Sequence, residues 1–199
     1  RSVFGAIEPV EKARLLIAND NEKIEIAGRE MVFMDTPGHA YHHNCIYDKS
    51  TNSVFTGDAF GLSYREFDIA GQAYMMPTTT PTQFNPAAYH KTIERILALN
   101  PSRLFLTHFG CIQQVEELAT QLHKKIDQYV DSTLSCMHAE NRYDCLHEKL
   151  AVLLVDTLVN AGSKLSADSI LGLFAMDLDL NTQGLLYWLD KELSKQEGG

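Results

Sequence analysis

Residues 35–44 read DTPGHAYHHN. The stretch ends an apolar run, MVFMD at 31–35, with a Pro-Gly turn and then histidines at 39, 42 and 43. Val, Phe and Met in that run suit a packed strand. A strand end presents polar side chains to a cleft while apolar residues pack below, so His39 would stand at such a rim. Three histidines in five residues do not by themselves make a metal-binding turn. Two later stretches repeat the arrangement: FTGDAFG at 55–61 places Asp58 after a strand, and LTHFG at 106–110 does the same for His108.

KIEI (23–26) and MVFMD read as a hairpin about the glycine of AGRE, and NCIYD (44–48) and SVFTG (53–57) as a second about the polar KSTN turn. Residues 59–84 lack periodicity and form a long loop of the kind that often carries function. NPAAYHKTIERILALNP (85–101) predicts a helix. Asn85 is its N-cap, Pro86 its first residue, Pro101 its stop, and Tyr89, Ile93, Ile96 and Leu97 share one face. RLFLTH (103–108) is a further buried strand.

From 113 onward the pattern is helical. Val115, Leu118, Leu122, Ile126 and Tyr129 mark one helix. Leu146, Leu150, Leu154 and Leu158 mark another that ends near Gly162. Ser166 starts a short helix, and Asn181 a last one through Trp188 and Leu193. The expected division is a strand-rich part, 1–112, and a helical part, 113–199.

The chain of 199 residues is 45% apolar with a net charge of −9, which suits a globular protein and argues against generic nucleic-acid or anionic-membrane binding. No apolar run approaches the ~20 residues of a membrane helix. Cys45, Cys111, Cys136 and Cys145 include no CxxC pair and are expected as reduced thiols of a cytoplasmic protein.

His39, Asp58 and His108 could converge at one sheet end. Neutral imidazole nitrogen binds borderline cations, zinc above all, with iron and manganese as alternatives. A carboxylate can bridge two cations, and a two-cation site can activate water. Glycines 38, 57 and 110 would let the backbone turn beside each candidate ligand.

TPGH, a GD after a strand, and a late strand ending in His together resemble the C-terminal part of a metallo-β-lactamase-fold hydrolase. The likeness is good over about 20–112 and loose over the tail. It implies an α+β fold, half of an αββα sandwich with a mixed β-sheet and helices, followed by a helical segment. It also implies that His39 ligates a first metal, that Asp58 bridges as the catalytic carboxylate, and that His108 ligates a second. His43 stands where many relatives carry a second histidine and is expected to support the ligands. His42 reads as a surface residue. Tyr64 and Thr79, in the long loop, are candidates for the substrate pocket.

The family's HxHxDH motif does not occur in these 199 residues. The N-terminal half is therefore expected to be lost, to lie on another polypeptide, or never to have existed in a natural short form. The resemblance implies a hydrolase of small esters or thioesters that uses metal-bound hydroxide as nucleophile, impaired in this chain. The alternative is a non-catalytic, dimerising chain with a vestigial metal site. Half a sandwich exposes a sheet face, so a homodimer is expected, with a small-molecule substrate and neither nucleic acid nor membrane as partner.

Overall fold

The structure, a computed structural model, describes residues 8–108 and 110–197; Phe109 of the LTHFG stretch lies outside it. Six strands form one sheet in chain order: β1 (Lys23–Ile26), β2 (Arg29–Asp35), β3 (Asn44–Asp48), β4 (Ser53–Gly57), β5 (Arg103–Leu106) and β6 (Gly110–Ile112). All neighbours are antiparallel except β4 and β5. A parallel pair needs a long crossover. The long loop and helix α1 (Pro86–Leu97) supply it. Four helices follow: α2 (Val115–Ser135), α3 (Arg142–Ala161), α4 (Ala167–Leu173) and α5 (Ala175–Glu197). The expected α+β architecture, a mixed sheet followed by a helical segment, is the one observed.

Local chemistry explains the boundaries. Asn85 Oδ1 accepts the Ala88 N–H at 3.0 Å and Pro86 opens α1. The KSTN turn is gathered by Asp48, whose carboxylate accepts from Ser50 N and Oγ and from Thr51 Oγ1 and pairs with Arg29. Gly162 ends α3 in the left-handed conformation.

Register puts Met34 beside Cys45 and Val54 beside Leu104 on one face of the sheet. Tyr89, Ile93 and Ile96 of α1 bury in the same apolar cluster, which continues through Leu118, Leu150 and Leu185 of the tail helices. The other face carries a row in register, Phe33–Ile46–Phe55–Phe105–Cys111. Phe55 stacks on Phe105 at 4.9 Å yet stays 42% exposed.

Three sequence expectations need correction. Strand β6 was not anticipated: three residues, only one of them buried, show no alternation to read. The last helix begins at Ala175, one turn and more before Asn181. Asn181 looks like a cap, but its Oδ1 accepts the Thr79 N–H at 2.8 Å and its Nδ2 donates to Pro77 O at 3.4 Å, so tertiary bonds replace the capping role. Finally, Cys136 and Cys145 are joined in a disulfide rather than standing as reduced thiols. The end of α2 and the start of α3 bring their Cα atoms to 6.0 Å, an ordinary bridging distance that no CxxC spacing signals.

Candidate metal centre

Helix α1 fixes two turns at once. Asn85 N donates to Gly38 O at 2.8 Å and Thr92 Oγ1 to Pro37 O at 2.6 Å, which clamps the TPGH turn. One helical turn away the buried Tyr89 hydroxyl donates to Asp58 O at 3.1 Å. The face of α1 that fills the core thus also carries the bonds that set the positions of His39 and Asp58.

The three stretches do converge. His39 Nε2 lies 3.8 Å from Asp58 Oδ2, and His108 Nε2 lies 3.6 Å from Asp58 Oδ1. These spacings exceed a direct hydrogen bond. They match the roughly 3.4 Å expected between two donors each ~2.1 Å from a tetrahedral cation. Asp58 Oδ1 is buried and makes no hydrogen bond.

The tautomers follow from the partners. His39 Nδ1 lies 3.0 Å from Thr78 O, which can only accept, so Nδ1 carries the proton and Nε2 offers its lone pair. Burial lowers the pKa of His39 below 6.5, against the opposing pull of the Thr78 carbonyl and the Asp58 charge. His43 Nε2 accepts the Asp58 N–H at 3.0 Å, so its proton sits on Nδ1. From there a chain of donors runs inward: His43 Nδ1 to Thr36 Oγ1 at 3.5 Å, Thr36 Oγ1 to Cys45 Sγ at 3.3 Å, and Cys45 Sγ to Thr56 O at 3.4 Å. Burial pushes the Cys45 thiol up to about 12, which keeps it a donor. Burial, then the nearby His39, lowers the pKa of His43. His39 and His43 are both held neutral, the form that can bind a metal or accept an amide proton.

Gly57 is required twice. Its φ is +52°, and a Cβ there would stand 2.4 Å from His43 Cε1. The same argument singles out Gly184 of α5, where a Cβ would meet Thr79 Oγ1 at 2.3 Å and Thr80 O at 2.4 Å. Its bare backbone lets α5 press against the 78–80 segment that orients His39 from behind.

The fit to a cation is partial. Donor chemistry suits a divalent ion: two imidazoles about one carboxylate with a buried oxygen that makes no hydrogen bond. Donor number does not complete a site. Among the described residues, no group of three or more His, Cys, Asp or Glu closes into a metal-holding set. Asp58 turns a different oxygen to each histidine, giving two His–Asp half-sites.

Beside the His39–Asp58 pair lies a cleft of about 360 Å³, lined among others by His39, His42, His43, Asp58 and Thr80. His42 Nδ1 contacts Gln83 Oε1 at 3.1 Å on the surface. Thr79 is only 3% exposed and its hydroxyl donates to Leu180 O at 3.3 Å, so it braces α5, and Thr80 is the threonine of that run in the cleft. Tyr64 packs on Phe67 and Phe174 and donates to Asp177 of α5. Asp177 escaped the sequence reading because the tail showed only apolar stripes. Burial raises its pKa against the Tyr64 hydrogen bond, and the nearby Asp58 carboxylate adds to the rise, which brings α5 into the electrostatics of the site.

A family model, the metallo-beta-lactamase superfamily, matches residues 4–108. The chain belongs to the metallo-beta-lactamase superfamily. That superfamily is usually hydrolytic and generally binds divalent metals. A metallo-beta-lactamase fold-containing protein of Sulfurisphaera tokodaii is 26% identical over 126 residues, covering 62% of this chain and 44% of the relative. Two solved structures share the fold: a metallo-beta-lactamase family protein from Thermus thermophilus (TM-score 0.57, 19% identity, 92% of this chain and 55% of that one) and an archaeal superfamily protein from Sulfolobus tokodaii (TM-score 0.53, 20% identity, 92% and 57%). The chain spans about half the length of the relatives it matches.

Proposed function

We propose that this metallo-beta-lactamase superfamily chain carries the C-terminal share of a metal-dependent hydrolase site for small esters or thioesters. The observation that carries the reading is the Asp58 carboxylate, held between His39 Nε2 and His108 Nε2 at 3.8 and 3.6 Å. His39, Asp58 and His108 would hold divalent metal, zinc by donor type, with iron or manganese as alternatives. When bound, such an ion supplies Lewis acidity toward a carbonyl oxygen and a water activated for attack. The chain's own residues prepare the place. Thr78 O fixes the His39 tautomer, and His43 and Tyr89 hold the Asp58 backbone from both sides through its N–H and its C=O. Two half-sites bind metal weakly, so turnover by this chain alone is expected to be impaired.

A second reading is favoured by a specific observation. The row Phe33–Ile46–Phe55–Phe105 leaves an aromatic and aliphatic stripe on the sheet face away from α1, with Phe55 exposed. A homodimer burying that stripe would make the chain a structural element with an incomplete metal site. As to compartment, no helix of the described residues is long and apolar enough to cross a membrane. A cytoplasmic setting remains our proposal from composition, although the Cys136–Cys145 bond suits a reducing cytosol poorly.

The hydrolase reading is tested by assaying a panel of small esters and thioesters with added zinc, iron(II) or manganese. Metal-dependent turnover lost on Asp58→Ala supports it. Turnover that survives Asp58→Ala, or that needs no metal, contradicts it.

A further inference from the structure

A second cavity lies away from the His39–Asp58 cleft, between α2, the end of α3 and residues 69–74. Its volume is about 720 Å³, within the range of small-molecule sites. Lys124, Lys125, Gln121, Gln128 and Asn160 line it, and no Asp or Glu does. In a chain with 26 acidic and 17 basic residues, a wall with two lysines and no carboxylate is a local reversal of charge. Ile69, Ala70, Ala73 and Ala161 supply an apolar part of the lining, beside Gln72, Tyr74 and Thr157.

Two polar groups on this wall are short of partners. Tyr74 is 7% exposed, and its buried hydroxyl meets no partner at full hydrogen-bond geometry, with only the Thr157 side chain close enough to act on it. The adjacent Thr157 hydroxyl spends its proton on Leu153 O and Leu154 O. Lys125 Nζ donates to Met75 O and rests 3.1 Å from the centroid of the Tyr74 ring. An ammonium has three donors. The one carbonyl leaves it donors to spare, beside a phenol that also has a proton to give. Burial holds Lys125 well below its ordinary pKa, the cost of a charge that lacks a counter-ion.

We propose that this cavity binds a small organic carboxylate with an apolar body, its carboxylate received jointly by Lys125 Nζ and the Tyr74 hydroxyl. A carboxylate accepts through both oxygens and supplies the missing counter-charge, and the alanine and isoleucine wall receives the apolar part. The site is separate from the metal cleft and stands without the hydrolase reading.

Benzoate is the probe, with benzyl alcohol as its neutral counterpart and inorganic phosphate as the bare anion, titrated into the full chain by calorimetry or ligand-observed NMR. Saturable benzoate binding is expected, tighter than benzyl alcohol or phosphate. Lys125→Met, which keeps the apolar stem, should weaken it by about tenfold or more, and Tyr74→Phe by about three- to tenfold, as loss of a charged and of a neutral hydrogen bond would. Circular dichroism confirms folding; Tyr74→Phe removes one oxygen atom and keeps the test valid should Lys125→Met unfold. Equal benzoate affinity in wild type and Tyr74→Phe, equal binding of benzyl alcohol, preference for phosphate, or no saturable binding would each overturn the proposal.

Discussion

The N–H of Asp58 donates to Nε2 of His43 at 3.0 Å, so the histidine that follows TPGH by four residues holds the backbone of the central carboxylate. The contact assigns His43 a definite task and a definite tautomer. It also ties the DTPGHAYHHN turn to the GD turn through a side chain that bonds the Asp58 backbone rather than its carboxylate and meets the His39 ring edge-on at 5.7 Å.

Replacing His43 by Ala should therefore loosen Asp58 without removing a ligand. A fall in metal affinity of about tenfold or more is expected, in line with other groups that orient ligands from behind. Competition titration with a zinc chelator measures it. Unchanged affinity would leave His43 a filler of space.

Gly57→Ala should reproduce that loss and add a stability cost. A left-handed backbone costs a non-glycine residue about 1–2 kcal/mol, and here the methyl group also meets the His43 ring. Denaturant unfolding and the same competition titration read the two effects separately.

Tyr89 separates bonding from packing. Tyr89→Phe removes the hydrogen bond to Asp58 O at a cost of about 1 kcal/mol. Tyr89→Ala also empties a fully buried ring position and should cost about 3–5 kcal/mol. Equal costs for the two would mean that the hydroxyl carries the whole contribution.

Acid should destabilise the metal-free protein from near pH 6.5 downward. His39, His43 and His123 all have pKa values lowered by burial, so between their folded values and 6.5 the unfolded chain binds more protons than the folded one. Stability therefore rises with pH through that window and is lost as pH falls. Protonated His43 also cannot accept the Asp58 N–H. Denaturant midpoints between pH 5 and 8 report the effect, and a flat profile would contradict the buried, neutral histidines.

The fold was legible where patterns are local. Asn85 and Pro86, the leucine spacing of α3 and the KSTN turn each announce an element through chemistry within a few residues. The site was legible because His39, Asp58 and His108 each follow a strand, and parallel pairing of β4 with β5 brings two of those strand ends together. What stayed hidden is tertiary. Asn181 looked like a cap because its long-range partner, Thr79, is 102 residues away; Asp177 and the Cys136–Cys145 pair were equally silent.

Metal binding to the purified chain, followed by titration with zinc, tests the central assignment most directly. Weak but saturable binding by the wild type is expected, lost in Asp58→Ala and reduced in both His39→Ala and His108→Ala. Zinc binding by Asp58→Ala equal to that of the wild type would place the metal elsewhere and contradict the assignment.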